Sequence, residues 1–180
     1  MRPVAIIGVG MTPVGEHWDK SLRMLGAEAI ESALSDAHID AVDALYLGNS
    51  YGTTFSSQSH LGALVADYAG LGNIEAYAIE AGDASGGAAL RTGYLAVASG
   101  AVNIALVVGA EKSSDSIGSS RVEGRNVSLD ADFESIHGAT LPALAAMLMR
   151  RYMHEYGVDL SAFEGFSINA HANGKRNPLA

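Results

Sequence analysis

No cysteine occurs among the 180 residues. That excludes disulfides and cysteine-ligated metal sites, and it does not fix the redox compartment. Proline is nearly as scarce, at 4 residues against 21 glycines with 48% hydrophobic residues, the balance of a soluble globular chain. Basic residues are few: 11 against 20 acidic ones, for a net charge of −9. The only basic pairs are Arg150-Arg151 and Lys175-Arg176, so neither nucleic acid nor an anionic membrane surface is an expected partner. No apolar run approaches the ~20 residues of a membrane span. No signal peptide is visible either: Met1-Arg2-Pro3 leads directly into Val4-Ala5-Ile6-Ile7, and a cytoplasmic location is the expectation. His17, His38, His60, His137 and His154 lack ligand spacing such as H-E-x-x-H, so no metal is expected. There is no internal repeat, and the length suits one domain or slightly more.

What is present is alternation. Apolar runs at Val4 to Gly8, Ala44 to Gly48, Ala76 to Ile79 and Ile104 to Gly109 read as strands, the last apolar enough to be covered on both faces. Helical patterns lie between them. Leu22, Leu25, Ala29, Ile30, Ala33 and Leu34 form one stripe. Leu61, Leu64, Val65 and Tyr68 form another, after a Ser-rich start able to cap it. The third pattern, Ala84 to Ala98, is small and apolar on nearly every side, with Arg91 its only charge, so burial all round is expected. This order predicts an α/β fold with a largely parallel sheet.

After Glu111 the texture changes. Residues 112–134 are polar and Ser-rich, with Asp130, Asp132 and Glu134 as a solvated acidic run, and read as a surface excursion. A helix follows over Thr140 to Tyr156 with Gly157 as its stop. Ser161-Ala162-Phe163-Glu164 has the pattern of a capping box opening another helix, and Asn177-Pro178 signals a turn.

Chemistry concentrates in Ala78-Ile79-Glu80-Ala81-Gly82-Asp83-Ala84-Ser85-Gly86-Gly87-Ala88-Ala89-Leu90. An apolar strand enters a Gly turn and leaves as a helix, a junction that aims one side chain and several free backbone N–H groups at a common point. Asp83 has two readings: a helix cap bonded to orphan N–H groups, or a catalytic or substrate-positioning carboxylate. Ser85 and Gly86 suit close helix packing and access of N–H groups to an oxygen. His171 likewise reads either as a hydrogen-bonded structural histidine or as a lining group of a ligand channel. Gly8-Val9-Gly10-Met11-Thr12-Pro13 is not a dinucleotide fingerprint, because Pro13 stands where the third glycine is needed and no helix opens there.

Residues 80–89 are similar to the active-site motif of thiolases, E-A-A-C-A-S-G-x-A-A, with Asp83 at the position of the nucleophilic cysteine. The resemblance continues through Ala5-Ile6-Ile7-Gly8-Val9-Gly10-Met11-Thr12-Pro13, Leu106-Val107-Val108-Gly109-Ala110-Glu111-Lys112, Arg151-Tyr152-Met153-His154-Glu155-Tyr156-Gly157, Asn169-Ala170-His171 and Asn177-Pro178. It is closest to the archaeal and sterol-carrier-protein-type branch.

The resemblance implies a thiolase-like fold. Residues 1–111 correspond to an N-terminal βαβαβα-β half with a mostly parallel mixed sheet between helices, and 112–180 to the start of an inserted loop domain. The rest of the loop domain and the C-terminal half are then absent, so a fragment or one piece of a split enzyme is expected. The implied function is a component handling a coenzyme A thioester, as acyltransferase or in C–C bond formation or cleavage, with no bound cofactor. Asp83 would be catalytic, and Ser85, Gly86 and His171 would bind substrate. The alternative is a non-catalytic scaffold or acyl-CoA-binding subunit. Implied partners are a second copy through the 75–80 edge strand, a polypeptide supplying the C-terminal half, and an OB-fold zinc-ribbon protein. Alone, the 84–98 helix would leave an apolar patch in water and the 104–109 strand an open edge.

Overall fold

The computed structural model describes residues 1–180 and divides into two compact units, residues 1–12 with 16–116, and residues 13–15 with 117–180. No helix is long and apolar enough to cross a membrane.

The first unit is α/β, as its alternating pattern predicts. Helix α1 (Leu22–Ala37) precedes β1 (Ala44–Gly48); α2 (Gly52–Phe55) and α3 (Leu61–Tyr68) precede β2 (Glu75–Ile79); α4 (Ser85–Ser99) precedes β3 (Ala105–Gly109). The strands form one parallel sheet in the order β2-β1-β3, with Ala44 opposite both Glu75 and Ala105. Alternation along β1 divides the core. Leu45 and Leu47 pack with Leu106 and Val108 against Leu22, Ile30, Leu61 and Val65, while Ala44 and Tyr46 pack with Val107 against Ala89 of α4. Helices α1 and α3 therefore cover one face and α4 the other. The chain reverses direction across the sheet and changes face as it does so, the pattern that right-handed crossovers produce.

Asp43 ties the amino ends of the strands together. Its Oδ2 accepts hydrogen bonds from Asn103 N (2.7 Å) and Ile104 N (3.0 Å), and its backbone carbonyl accepts from Glu75 N at 3.3 Å. On the α4 face the hydroxyl of buried Tyr46 donates to Glu75 Oε1 at 3.0 Å. Burial, and then the neighbouring Glu75 carboxylate, push that phenol up to about 12.

Two expectations are corrected here. Val4 to Gly8 is not a strand: Ile6 and Ile7 are 77% and 56% exposed, and the segment lies against α1. A methyl on Gly8 would come within 2.6 Å of Ala33 O and Ala37 Cβ, so glycine permits the close approach. The residues flanking this stretch are bonded to helices, Val9 N to Asp36 Oδ2 (2.9 Å) and Arg2 N to Ala98 O (3.0 Å). With that segment outside the sheet, β1 pairs directly with β3. Helix α4 leaves an apolar patch in water, as expected of the chain alone: Ser85, Ala89, Gly93 and Ala98 are buried, but Leu90 and Tyr94 are about half exposed. No serine caps α3, whose N-cap is His60 in the left-handed region (φ 60°). Residues 112–134 are a largely exposed stretch, as expected, that contains α5 (Ser119–Arg125) and a 3-10 turn, Asn126–Ser128.

In the second unit, α6 (Leu141–Tyr156) begins with Thr140 Oγ1 accepting from Ala143 N and ends at Gly157 (φ 61°), as its pattern predicts. Helix α7 (Glu164–Gly174) forms, but without the capping box: Leu160–Phe163 is a 3-10 turn that runs straight into it, and no side chain caps the helix.

The two N–H donors hold the Asp43 carboxyl below its ordinary 3.8. A carboxylate lowered by folding stabilises the fold above its unfolded pKa, and loses that effect as pH falls through its folded pKa. Asp43→Asn should therefore lower the denaturation midpoint at pH 7, and the difference from wild type should shrink towards pH 3. Denaturant melts at both pH values measure it.

Candidate functional site

In an open parallel sheet, ligands lie beyond the carboxyl ends of strands whose connections depart to opposite faces. Here those strands are β1 and β2. The chain leaves β1 through Asn49-Ser50-Tyr51 toward the α1/α3 face, and leaves β2 through Glu80-Ala81-Gly82-Asp83 toward α4. The expected strand–turn–helix junction thus sits at the switch point.

Its geometry follows from small residues. Gly82 has φ +56° and lets the chain reverse after β2. Ser85 is buried, and its hydroxyl closes the turn: Oγ accepts from Ala81 N (2.9 Å) and donates to Gly82 O (2.7 Å). That hydroxyl is therefore committed to the backbone. Asp83 caps nothing: the N-cap residue of α4 is Ala84, and no side chain bonds its first turn. The Asp83 carboxylate is exposed instead, and accepts from the Tyr51 hydroxyl at 3.4 Å. Ala88 N bonds Ala84 O, whereas no acceptor from the preceding turn reaches Gly86 N or Gly87 N. The positive end of the α4 dipole is thus presented through two free N–H groups. A methyl on either glycine would meet nothing within 4 Å, so packing within the unit does not require glycine there. At Gly48 it does: a methyl would lie 2.6 Å from Ser85 O and 2.8 Å from Gly86 Cα.

Residues assigned no role from the sequence complete the site. Glu111, just beyond β3, accepts at Oε2 from Ser50 N and Tyr51 N (2.9 Å each). Its Oε1 accepts from Asn49 Nδ2 (3.2 Å) and Lys112 N (3.3 Å). Asn49 also donates to Ala110 O at 2.7 Å and accepts from Gly52 N at 2.8 Å. Asn49 is signalled in the sequence only as a polar residue directly after an apolar strand, and Glu111 as part of the Leu106 to Lys112 stretch that carries the resemblance. His171 belongs to the second unit, exposed on α7, with Nδ1 2.8 Å from Ser167 O. The first unit thus brings together Asp83, Ser85 and Gly86, while His171 stands apart in sequence and unit.

Residues 4–180 match the thiolase N-terminal domain. The chain belongs to the thiolase superfamily. It is 41% identical to acetyl-CoA acetyltransferases of Methanocaldococcus jannaschii and Methanothermobacter thermautotrophicus, over 100% of its own length and 46% and 47% of theirs. It is 29% identical to a 17-hydroxy-3-oxo-4-pregnene-20-carboxyl-CoA lyase of Mycobacterium tuberculosis, over 98% of the chain and 46% of the lyase. The chain spans about half the length of the curated relatives it matches. Within this thiolase domain the strand order and the turn at Gly82 locate the candidate site.

Two substitutions separate packing from exposure. Gly86→Ala should leave the fold intact and stabilise it by about 0.5–1 kcal/mol through helix propensity alone. Gly48→Ala should destabilise by about 1–3 kcal/mol, since α4 must shift off β1. Chemical denaturation of the two variants beside wild type checks both.

Proposed function

We propose that this chain is a coenzyme A thioester-handling component of a thiolase-type enzyme, acting through a carboxylate at Asp83 and not through a cysteine thiolate. The observation that carries this reading is the pairing of an exposed Asp83 carboxylate with the free N–H groups of Gly86 and Gly87 at the switch point. Two N–H donors at a helix start suit an oxygen that gains charge during reaction, such as that of a thioester carbonyl. The carboxylate would then remove a proton from the carbon beside that carbonyl. The C–H electron pair becomes an enolate, which attacks the carbonyl carbon of a second substrate; the π pair of that carbonyl moves to its oxygen, which takes the proton back from the Asp83 carboxyl, and the reverse cleaves the same C–C bond. No covalent acyl-enzyme is needed. That two relatives bear the name acetyl-CoA acetyltransferase and a third the name CoA lyase supports both the substrate class and C–C chemistry.

In this proposal Ser85 shapes the turn, Gly86 supplies an N–H, and His171 lines the acyl-CoA channel. Residues 112–180 open the loop domain, the protein works in the cytoplasm, and no further cofactor takes part. Partners are a polypeptide bearing a second thiolase half, an OB-fold zinc-ribbon protein and a second copy of this chain. The second copy is supported by the edge strand β2. Glu75 N and Ile79 O point toward β1, so Ala76 and Ala78 turn their N–H and C=O groups outward. Ala78→Pro removes one outward N–H and spares the pairing with β1, so sedimentation should show a shift from dimer to monomer with the helical circular dichroism unchanged.

A non-catalytic acyl-CoA-binding subunit is the second reading, favoured by the water-exposed position of Asp83. Calorimetric titration with acetyl-CoA and acetoacetyl-CoA tests both, and no binding by the purified assembly sinks both. Asp83→Cys should accept an acetyl group from acetyl-CoA, its thiolate attacking the carbonyl carbon as the CoA thiolate departs; intact-protein mass reads it. Turnover of the assembly unchanged in Asp83→Ala would decide for the non-catalytic subunit.

A further inference from the structure

Asp83 does not stand alone at the switch point. The phenol of Tyr51 is buried at 5% exposure, and its hydroxyl donates to Asp83 Oδ1. The Tyr51 ring lies 5.6 Å from that of Phe55, centroid to centroid, at a tilt of 56°. The Tyr51 backbone is fixed from the other side of β1. Glu111 collects the N–H groups of Ser50 and Tyr51 on one oxygen, and those of the Asn49 side chain and Lys112 on the other. Four donors on one carboxylate are more than a surface glutamate needs. The arrangement binds the end of β3 to the loop leaving β1, and that loop carries the phenol to the turn leaving β2.

We propose that Tyr51 is a positioning residue that holds the group at position 83 through its hydroxyl, and that Glu111 is a positioning residue that acts through Tyr51. The phenol oxygen lies 3.4 Å from Oδ1 of Asp83, a long contact placed to orient the carboxylate with Oδ2 toward a ligand. This deepens the proposed function and rests on Asp83 being the reactive group of that reading. The three links run in series, Glu111 to the 49–51 loop, the loop to the phenol, the phenol to position 83.

The absence of any other thiol makes the pair measurable without substrate. Asp83→Cys places the sole thiol of the chain at the site, and its alkylation rate by iodoacetamide at a fixed neutral pH reports the thiolate fraction. A phenol O–H donating to sulfur favours the thiolate. Adding Tyr51→Phe keeps the ring and deletes the donor, and should slow alkylation by about threefold or more. Adding Glu111→Gln instead should slow it in the same direction. The combination should be no slower than Tyr51→Phe alone, the non-additivity expected of residues that act through one another. Tyr156→Phe, on α6 in the second unit, is the control and should change nothing.

Equal rates with and without Tyr51→Phe would overturn the pair. Full additivity of Glu111→Gln and Tyr51→Phe would overturn the serial role of Glu111, because a residue that merely stabilises the fold slows alkylation independently or not at all. Matching thermal melts of all variants establish that they fold. None of these rates depends on acyl-CoA. Failure to bind acetyl-CoA would therefore refute the proposed function and leave this pairing standing, and unequal outcomes tell the two apart.

Discussion

The carbonyl oxygen of Ser85 sits so near Gly48 that a single methyl on that glycine would come within 2.6 Å of it. This closeness sets the first turn of α4 against the end of β1, and the rest of the site takes its place from there. Gly93, one helical stretch later, allows a similar approach, with Val107 Cγ2 2.6 Å from the Cβ it lacks. Two glycines thus let α4 lie flat on the sheet. They fix the direction in which its amino end, and the turn before it, face outward.

At that end the polar groups are shared out with little overlap. Ser85 occupies the turn leaving β2, and Glu111 occupies the amides leaving β1. What is left over is small: the Asp83 carboxylate, held at one oxygen by Tyr51, and the N–H groups of Gly86 and Gly87. Neighbouring donors that already have acceptors cannot compete for a ligand, so the free ones define a direction of approach. Leu90 and Tyr94 continue the exposed face of the same helix beyond Gly86, with exposed Arg91 one turn beyond Gly87.

Much of this was legible in the residues. The runs at Ala44 and Ile104, the amphipathic stripe from Leu22 and the Gly157 stop all form as their patterns predict, because each is a local signal whose packing partner lies in the same unit. The open edge at β3 is present too. Val4 to Gly8 misleads because an apolar run specifies extended backbone, not the neighbour it pairs with. Gly8 and Gly10 there serve a helix contact, which periodicity does not register. The capping role for Asp83 fails for a geometric reason: the turn at Gly82 moves the helix start one residue on, to Ala84. Tyr51 and Glu111 were beyond reach of the sequence pattern because they meet across 60 residues, through a backbone nest that no spacing encodes.

A carboxylate just before α4 has a consequence for the response to oxidants. Peroxide converts exposed thiolates to sulfenic and then sulfinic acids, and the later steps inactivate a sulfur nucleophile for good. Carboxylate oxygen offers no such chemistry, and the only sulfur in this chain is methionine, with Met1 and Met147 more than half exposed. Oxidants that attack thiolates would find nothing to attack at Asp83.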